Sequence, residues 1–558
     1  MAPIRASRVS AEQLDHIAIL SREDLQNLAA RFQIEDAFDR QDRDLRDLLT
    51  KKAEQYRAYR RQIDSLDDRV AEIADLKSAA QDAAAKLNFD EVEEFLARVD
   101  EFETEIAAET KVARAQNALL RGEVDQAYRL LNSAASAFSK PVEEAHRRIR
   151  FFDYLYEYGK SHVSSGLEFA AELIRPAVKT VNPKNDPVVY ANSLNRLGMA
   201  LQAKGARTPG EPGAALLVQA VDCYRLALRT TTEFDDPMDW AMTKRNLGIA
   251  LETQGGRMPG APGADLLAEA VDCFRAALRV RTEADDPLDW AKTMNNLGNA
   301  LSNQGIRTPG YAGAALLTKA VENYRTALQV RTEADHPWDW AMTMQNLGGT
   351  LATAGSRTPG APGAALLAEA VESYRAALRV TTEADRPLDW AMTMQNLGGT
   401  LLSQGIRTEG APGLDLLAEA AGSYRAALRV RTEVDHPLQW ATTMQNLGIA
   451  LRNLATRTPG APGAALLAEA AGSYRAALRV RTETDHPLDW AMTQENLAML
   501  HSAWARHDST ETPKDHLQTA LTHVDAALKI YDDSTGYYLE QAGKLRAEIL
   551  GALNALGD

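Results

Sequence analysis

From Pro187 to about Gly536 the chain repeats itself every 50 residues without a slip in register. Trp240, Trp290, Trp340, Trp390, Trp440 and Trp490 form one column, with Tyr190 in the same slot at its start. Leu197, Leu247, Leu297, Leu347, Leu397, Leu447 and Leu497 form a second. A fixed period of this size is the signature of a solenoid, whose units bury their apolar faces only against their neighbours. Length alone would suggest several globular domains, but a stacked array grows without splitting into separate cores.

One unit shows what repeats. Pro287 suits the first turn of a helix, where a missing N–H costs nothing. Asp286 before it is a candidate cap, and Asp289 places a carboxylate near the positive helix end. Trp290, Met294, Leu297 and Leu301 follow at helical spacing, which predicts a first helix ending near Gly305. Arg307 to Gly313, rich in Pro and Gly, is expected to be loop. Leu316, Leu317, Ala320, Tyr324, Ala327, Leu328 and Val330 then form the buried stripe of a second helix.

These residues resemble the tetratricopeptide repeat family. Asn296-Leu297-Gly298 followed by Ala320, Tyr324 and Ala327 matches the family hairpin, and the match recurs at Asn346-Leu347-Gly348 with Ala370, Tyr374 and Ala377. The 50-residue unit exceeds the family's 34, with about 10 extra residues assigned to the Arg-Thr-Pro-Gly loop and about 6 to the junction. The family's usual aromatic in the first helix is replaced by Met294, Met344, Met394 and Met444, and the Trp one turn earlier is expected to pack in its stead. The expectation is an all-α, right-handed helical-hairpin solenoid. Residues 187–536 form seven repeats, and 537–558 a capping helix with a wet outer face.

Residues 1–186 lack the period. A seam of Leu45, Leu49, Lys52, Tyr56, Tyr59, Ile63, Leu66, Val70, Ile73, Lys77, Ala80, Ala84 and Leu87 alternates steps of four and three. A second helix with Val92, Phe95, Val99, Phe102 and Ile106 follows the break at 86–90. Residues 1–110 therefore read as a helical hairpin or coiled coil, packed internally or used for self-association. Residues 111–186 read as irregular tetratricopeptide-like helices, with two near 141–160 and 163–180.

Composition narrows the function classes. The net charge of -15 is a poor match for nucleic-acid phosphates or an anionic membrane. No stretch has signal-peptide or membrane-spanning character, so a cytoplasmic location is expected. Cys223 and Cys273 share a slot that Ser373, Ser423 and Ser473 fill later, which reads as a small buried side chain. His336, His436 and His486 share the slot before Pro, one whole hairpin apart, where convergence on a metal is not expected. No phosphate loop, metal spacing or nucleophile motif stands out, so neither enzymatic activity nor a cofactor is expected.

The Trp column reads as packing knobs, whose truncation would cost about 3–5 kcal/mol if fully buried. The loop arginines Arg207, Arg257, Arg307, Arg357, Arg407 and Arg457 are expected to tie to Glu233, Glu283, Glu333, Glu383, Glu433 and Glu483. By resemblance, the Asn column Asn246, Asn296, Asn346, Asn396, Asn446 and Asn496 lies near a concave groove. It serves either to hold a ligand's main chain or to tie hairpins together. Arg245, Asn295, Gln345, Gln395 and Gln445 would line the groove beside it, with Asn299 one turn on and Gly349 and Gly399 as a shallow floor. The function expected is non-enzymatic binding of a protein or peptide. The alternatives are a regulatory subunit of a separate effector enzyme, by analogy with arrays that accompany bacterial protease or defence effectors, and a self-assembling structural protein through the N-terminal helices.

Overall fold

The computed structural model describes residues 17, 20–31, 34, 42, 45–54, 75, 76, 78, 79, 89–162, 165–531 and 536–556. Their regular structure is helical, with no strand among them. The chain divides into two compact units, Met1–Arg307 and Thr308–Asp558.

In the first unit the helix Phe89–Leu120 runs straight through residue 110 and turns at Gly122, whose φ is 81°, into Val124–Ala135. Helices Pro141–Ser161 and Gly166–Thr180 follow, and then the regular helices Pro187–Arg207, Gly210–Thr230, Pro237–Arg257, Gly260–Val280 and Pro287–Arg307. Of the heptad seam, Leu45, Leu49 and Lys52 are buried. Positions 56–73, 77 and 80–87 lie outside the described residues, as do the side chains of Val92, Phe95, Val99 and Phe102. Lys52 Nζ donates to the Leu119 carbonyl at 3.2 Å and sits 5.5 Å from the Tyr158 ring centroid. Burial lowers its pKa to about 8. That charge on an apolar seam is thus met by the protein's own helices.

The second unit contains Gly310–Val330, Pro337–Arg357, Gly360–Val380, Pro387–Arg407, Gly410–Val430, Pro437–Ala455, Gly460–Val480, Pro487–Ala505, Pro513–Leu528 and Gly536–Ala555. One apolar cluster runs through its hairpins, joining Tyr374, Leu397, Leu401, Tyr424, Leu447, Leu451, Tyr474 and Leu497. The last helix seals the array by burying Ala542 and Ile549 against Leu517, Val524 and Tyr531 while much of its remaining surface stays wet.

The extra residues of the 50-residue unit lie elsewhere than the Pro-Gly motif suggests. The connection is only two residues, Thr358–Pro359 in one repeat, and both helices are 21 residues long, roughly 31 Å at 1.5 Å per residue. Gly360 turns the chain at φ 69°, a conformation that glycine adopts without a Cβ penalty. Three residues on, Gly363 presses against the preceding helix end. A Cβ there would lie 1.9 Å from the Thr358 carbonyl oxygen. Glycine spacing that reads as loop is in fact what allows the loop to be short.

The cap expected at Asp286 forms: its Oδ1 accepts from Asp289 N at 3.1 Å, and Asp236 does the same for Asp239. Where His336, Arg386, His436 and His486 hold that slot, no side-chain cap bond is made. Thr–Asp pairs such as Thr382 Oγ1 to Asp385 at 2.7 Å brace these connectors, as they also brace the two that carry the Asp cap. Cys273 is buried and Cys223 half-buried, both as free thiols whose pKa desolvation pushes up to about 11.

The Trp column differs from the expected buried knobs. The indoles are half-buried, and the enclosed aromatic rings are instead those of the second helices, among them Tyr224, Phe274, Tyr324 and Tyr474. Each of three Trp rings lies under a guanidinium: Arg379 at 5.5 Å over Trp340, Arg429 at 5.3 Å over Trp390 and Arg479 at 5.3 Å over Trp440. The same arginines pair with Glu333, Glu383 and Glu433. Trp340→Ala is accordingly expected to lower stability in urea unfolding by about 2 kcal/mol, below the cost of a fully buried aromatic. A loss of 4 kcal/mol or more would mean the ring is a core knob after all.

Candidate functional site

The loop arginines are internal ties, but their partners are carbonyls instead of the Glu column. Arg407 donates to the Gly355, Ser356 and Thr358 carbonyls at 2.8, 2.5 and 3.2 Å. Arg457 does the same to Gly405, Ile406 and Thr408 one repeat later. In the first unit Arg257 and Arg207 repeat the arrangement on Gly205 and Gly159. The last carbonyls of a helix have no partner inside it and carry the negative end of its dipole, so a guanidinium fork from the next repeat satisfies both needs. In the last repeat His507 takes the slot, its Nε2 3.0 Å from the Thr458 carbonyl oxygen.

The column beside the Asn ladder is engaged in joining repeats. Gln345 donates to Thr393 of the next first helix. Gln395 Oε1 accepts from Arg431 and lies 2.8 Å from the Thr443 hydroxyl. Gln445 Oε1 accepts from Arg481 and lies 2.9 Å from the Thr493 hydroxyl. In the first unit Asn195 Nδ2 donates to Thr243 at 2.8 Å, and Arg245 pairs with Asp289 at 2.6 Å. Asn295 is 3% exposed. These bonds tie neighbouring helices side by side.

The Asn ladder itself divides. Asn246 is buried, its Nδ2 donating to Asn195 at 3.0 Å. Asn296 and Asn299 are half-buried on the final helix of the first unit. Asn496 folds back to donate to the Met492 carbonyl at 3.0 Å. Asn346 and Asn446 are half-buried, and Asn396 is exposed.

Asn396 and Asn446 meet in a groove of the second unit with a cavity of about 520 Å³, which also takes in Gly349, Gly399, Tyr374, Tyr424, Arg357 and part of Gln395. Gly349 and Gly399, read from the sequence as a shallow floor, both line this cavity. Its lining has one cation, Arg357, and no carboxylate, although the whole chain carries -15. Thr353, Thr400 and Ser403 point their hydroxyls back to carbonyls four residues earlier, and so shape the wall without offering donors to a ligand.

Two features escape sequence reasoning. The Tyr374 and Tyr424 rings belong to the buried stripe, yet these residues line the groove. And His501, His516 and His523, unremarkable in sequence, meet in the last hairpin. His501 Nδ1 is 3.0 Å from His516 Nδ1, with Trp504 stacked 4.6 Å from the His516 ring. Irregular spacing in a degenerate repeat hides that cluster. No group of three or more His, Cys, Asp or Glu suited to holding a metal occurs among the described residues.

Comparison with known proteins finds no matching family model and no matching curated protein. Solved structures are similar to this chain at low identity. The APC/C hetero-tetramer Cut9–Hcn1 is 15% identical with a TM-score of 0.30, over 96% of this chain and 99% of that one. A circular tandem repeat protein with novel repeat topology is 15% identical with a TM-score of 0.21, over 88% of this chain and 99% of that one. The P58(IPK) TPR domain is 13% identical with a TM-score of 0.19, over 79% of this chain and 98% of that one.

Proposed function

We propose that this tetratricopeptide-like array is a non-enzymatic scaffold that binds a protein or peptide in the groove of its second unit. The observation that carries this reading is the meeting of Asn396, Asn446, Gly349 and Gly399 in one open cavity, while the equivalent amide column beside them is engaged in structure. An amide side chain offers a donor and an acceptor together, the pair that a peptide unit requires. A protein partner is further supported by an apolar edge on the same unit, where Trp338, Leu388, Leu438 and Leu488 are 38%, 49%, 43% and 49% exposed at equivalent positions. Among the described residues no helix is long and apolar enough to cross a membrane. The two thiols, raised in pKa, stay protonated near neutral pH, which argues against thiolate chemistry.

The test is capture from cytosol on the immobilised full chain, followed by titration of the purified partner. Asn396→Ala with Asn446→Ala is expected to weaken that partner at least about tenfold, with the melting temperature unchanged, since each amide contributes about 1 kcal/mol. Equal affinity for wild type and variant would remove the groove from the function.

A further inference from the structure

The repeats at 337–380 and 387–430 differ from their sisters in a coordinated way. Both read Asn-Leu-Gly-Gly-Thr-Leu, so Gly349 and Gly399 stand where other repeats carry Met199, Ile249, Asn299, Ile449 and Met499. Both also change the residue three positions later, where Gln202 accepts from the Tyr224 hydroxyl at 2.8 Å in the first regular hairpin. Ala352 and Leu402 hold that slot and have no group to accept a hydrogen bond.

The consequence falls on the tyrosines beneath. A Cβ on Gly349 would lie 3.3 Å from the Tyr374 hydroxyl, and one on Gly399 would lie 3.5 Å from that of Tyr424. The missing side chains are the lid over those two oxygens. In the next repeat, where Ile449 stands at the glycine position, the Tyr474 hydroxyl is buried without a partner. Tyr374 and Tyr424 instead line the open cavity between Asn396 and Asn446.

Spacing narrows what would fit. The Gln345–Thr393 bond makes successive first helices direct neighbours. Packed helices lie about 8–10 Å apart, so the two hydroxyls, one repeat apart, are separated by about the same. A polyproline-II helix rises about 3.1 Å per residue with three residues per turn, so carbonyls three residues apart face the same way at about 9.3 Å. A β-strand has period two, so its residues three apart face opposite sides. A polyproline-II segment also leaves all its carbonyls unpaired and is already stiff before it binds. The lining contains Arg357 and no carboxylate, which disfavours a cationic ligand.

The geometry points to a dedicated subsite in these two repeats for an extended, polyproline-II-like peptide without cationic side chains, whose carbonyls at i and i+3 accept from the Tyr374 and Tyr424 hydroxyls over the Gly349–Gly399 floor. This inference rests on the peptide-binding reading of the groove and says where in it, and in what conformation, the ligand lies.

The probe is a fluorescein-labelled dodecapeptide of Pro-Pro-Ala repeats, titrated by anisotropy against the full chain. A Gly-Ser dodecapeptide and a copy with two Lys serve as controls. Wild type is expected to prefer the Pro-Pro-Ala probe at least about fivefold over both controls. Gly349→Met with Gly399→Ile, each a sister-repeat residue, should weaken it at least about tenfold. Tyr374→Phe with Tyr424→Phe should do so by about tenfold through loss of two hydrogen bonds. Circular dichroism checks that each variant is folded. Absent binding, no preference over Gly-Ser, or affinity untouched by both folded double variants each overturns the subsite. The broader scaffold reading is judged separately by the Asn396 and Asn446 titration, so either can fail alone.

Discussion

Acidification from about pH 7.5 to about pH 5 is expected to weaken the last hairpin by about 2 kcal/mol, through three histidines packed in contact. His501 is 6% exposed, its Nδ1 is 3.0 Å from that of His516, and its Nε2 is buried without a partner. The His501 and His523 rings lie 5.8 Å apart, and His523 Nδ1 contacts Gln494 Oε1 at 2.6 Å. Burial, then the other two imidazoles and Arg475, lower the His501 pKa from 6.5 to about 4. His516 is lowered by burial against a smaller opposing effect of Asp515, and His523 by burial and Arg475. A lowered histidine pKa means that the unfolded chain binds more protons, so the stability is present above about pH 6.5 and is lost as pH falls toward about 4. Urea unfolding of the last hairpin, followed by hydrogen exchange of its amides across this pH range, should show this slope in wild type and a flatter one in His501→Leu. Equal slopes in the two proteins would mean that the cluster is not what titrates.

Gly363→Ala is expected to destabilise its hairpin by about 3 kcal/mol, a large effect for one methyl group. The added Cβ would meet the Thr358 carbonyl oxygen at 1.9 Å, its carbon at 2.8 Å and the Gly355 oxygen at 2.9 Å, all backbone atoms with no rotamer to yield. Relief requires the two-residue link to open, which would shift Gly360 out of its positive-φ turn and the Arg407 fork off its carbonyls. Gly422→Ala is the matched control. It also lies within a second helix but has nothing within 4 Å of its would-be Cβ, so it should gain about 0.5–1 kcal/mol from reduced backbone freedom. Similar effects at the two positions, read as shifts in urea midpoint, would contradict the close approach at Gly363.

Much of this fold was legible because a hairpin array is specified locally. The helix periods around Leu297, Leu347 and Leu397, the helix-starting prolines and the Asp286 cap are readable within a few residues, and all appear where they were expected. The gap that Gly349 and Gly399 leave in a column of larger side chains was legible as well, and both line the cavity. The partners of each column were not. The loop arginines recur in step with the Glu column, yet they reach back across a repeat to carbonyls, and backbone acceptors leave no trace in a sequence. The Trp column suggested a core because the helical period places it among Leu and Met. In the structure the indoles are half-exposed, with an arginine from the second helix above the ring.

Periodicity alone therefore determined that the chain is a stack of helical hairpins, because each unit's burial pattern depends only on its own residues and its neighbours'. Tertiary structure decided which of the repeating polar side chains remain available. Gln445, Asn195 and Asn246 differ little in kind from Asn396 and Asn446, but the first three are bonded between helices while the last two border the groove. Burial and hydrogen bonding across repeats are set by the angle and offset of stacking. Those are properties of the assembled array, which no single repeat carries in its residues.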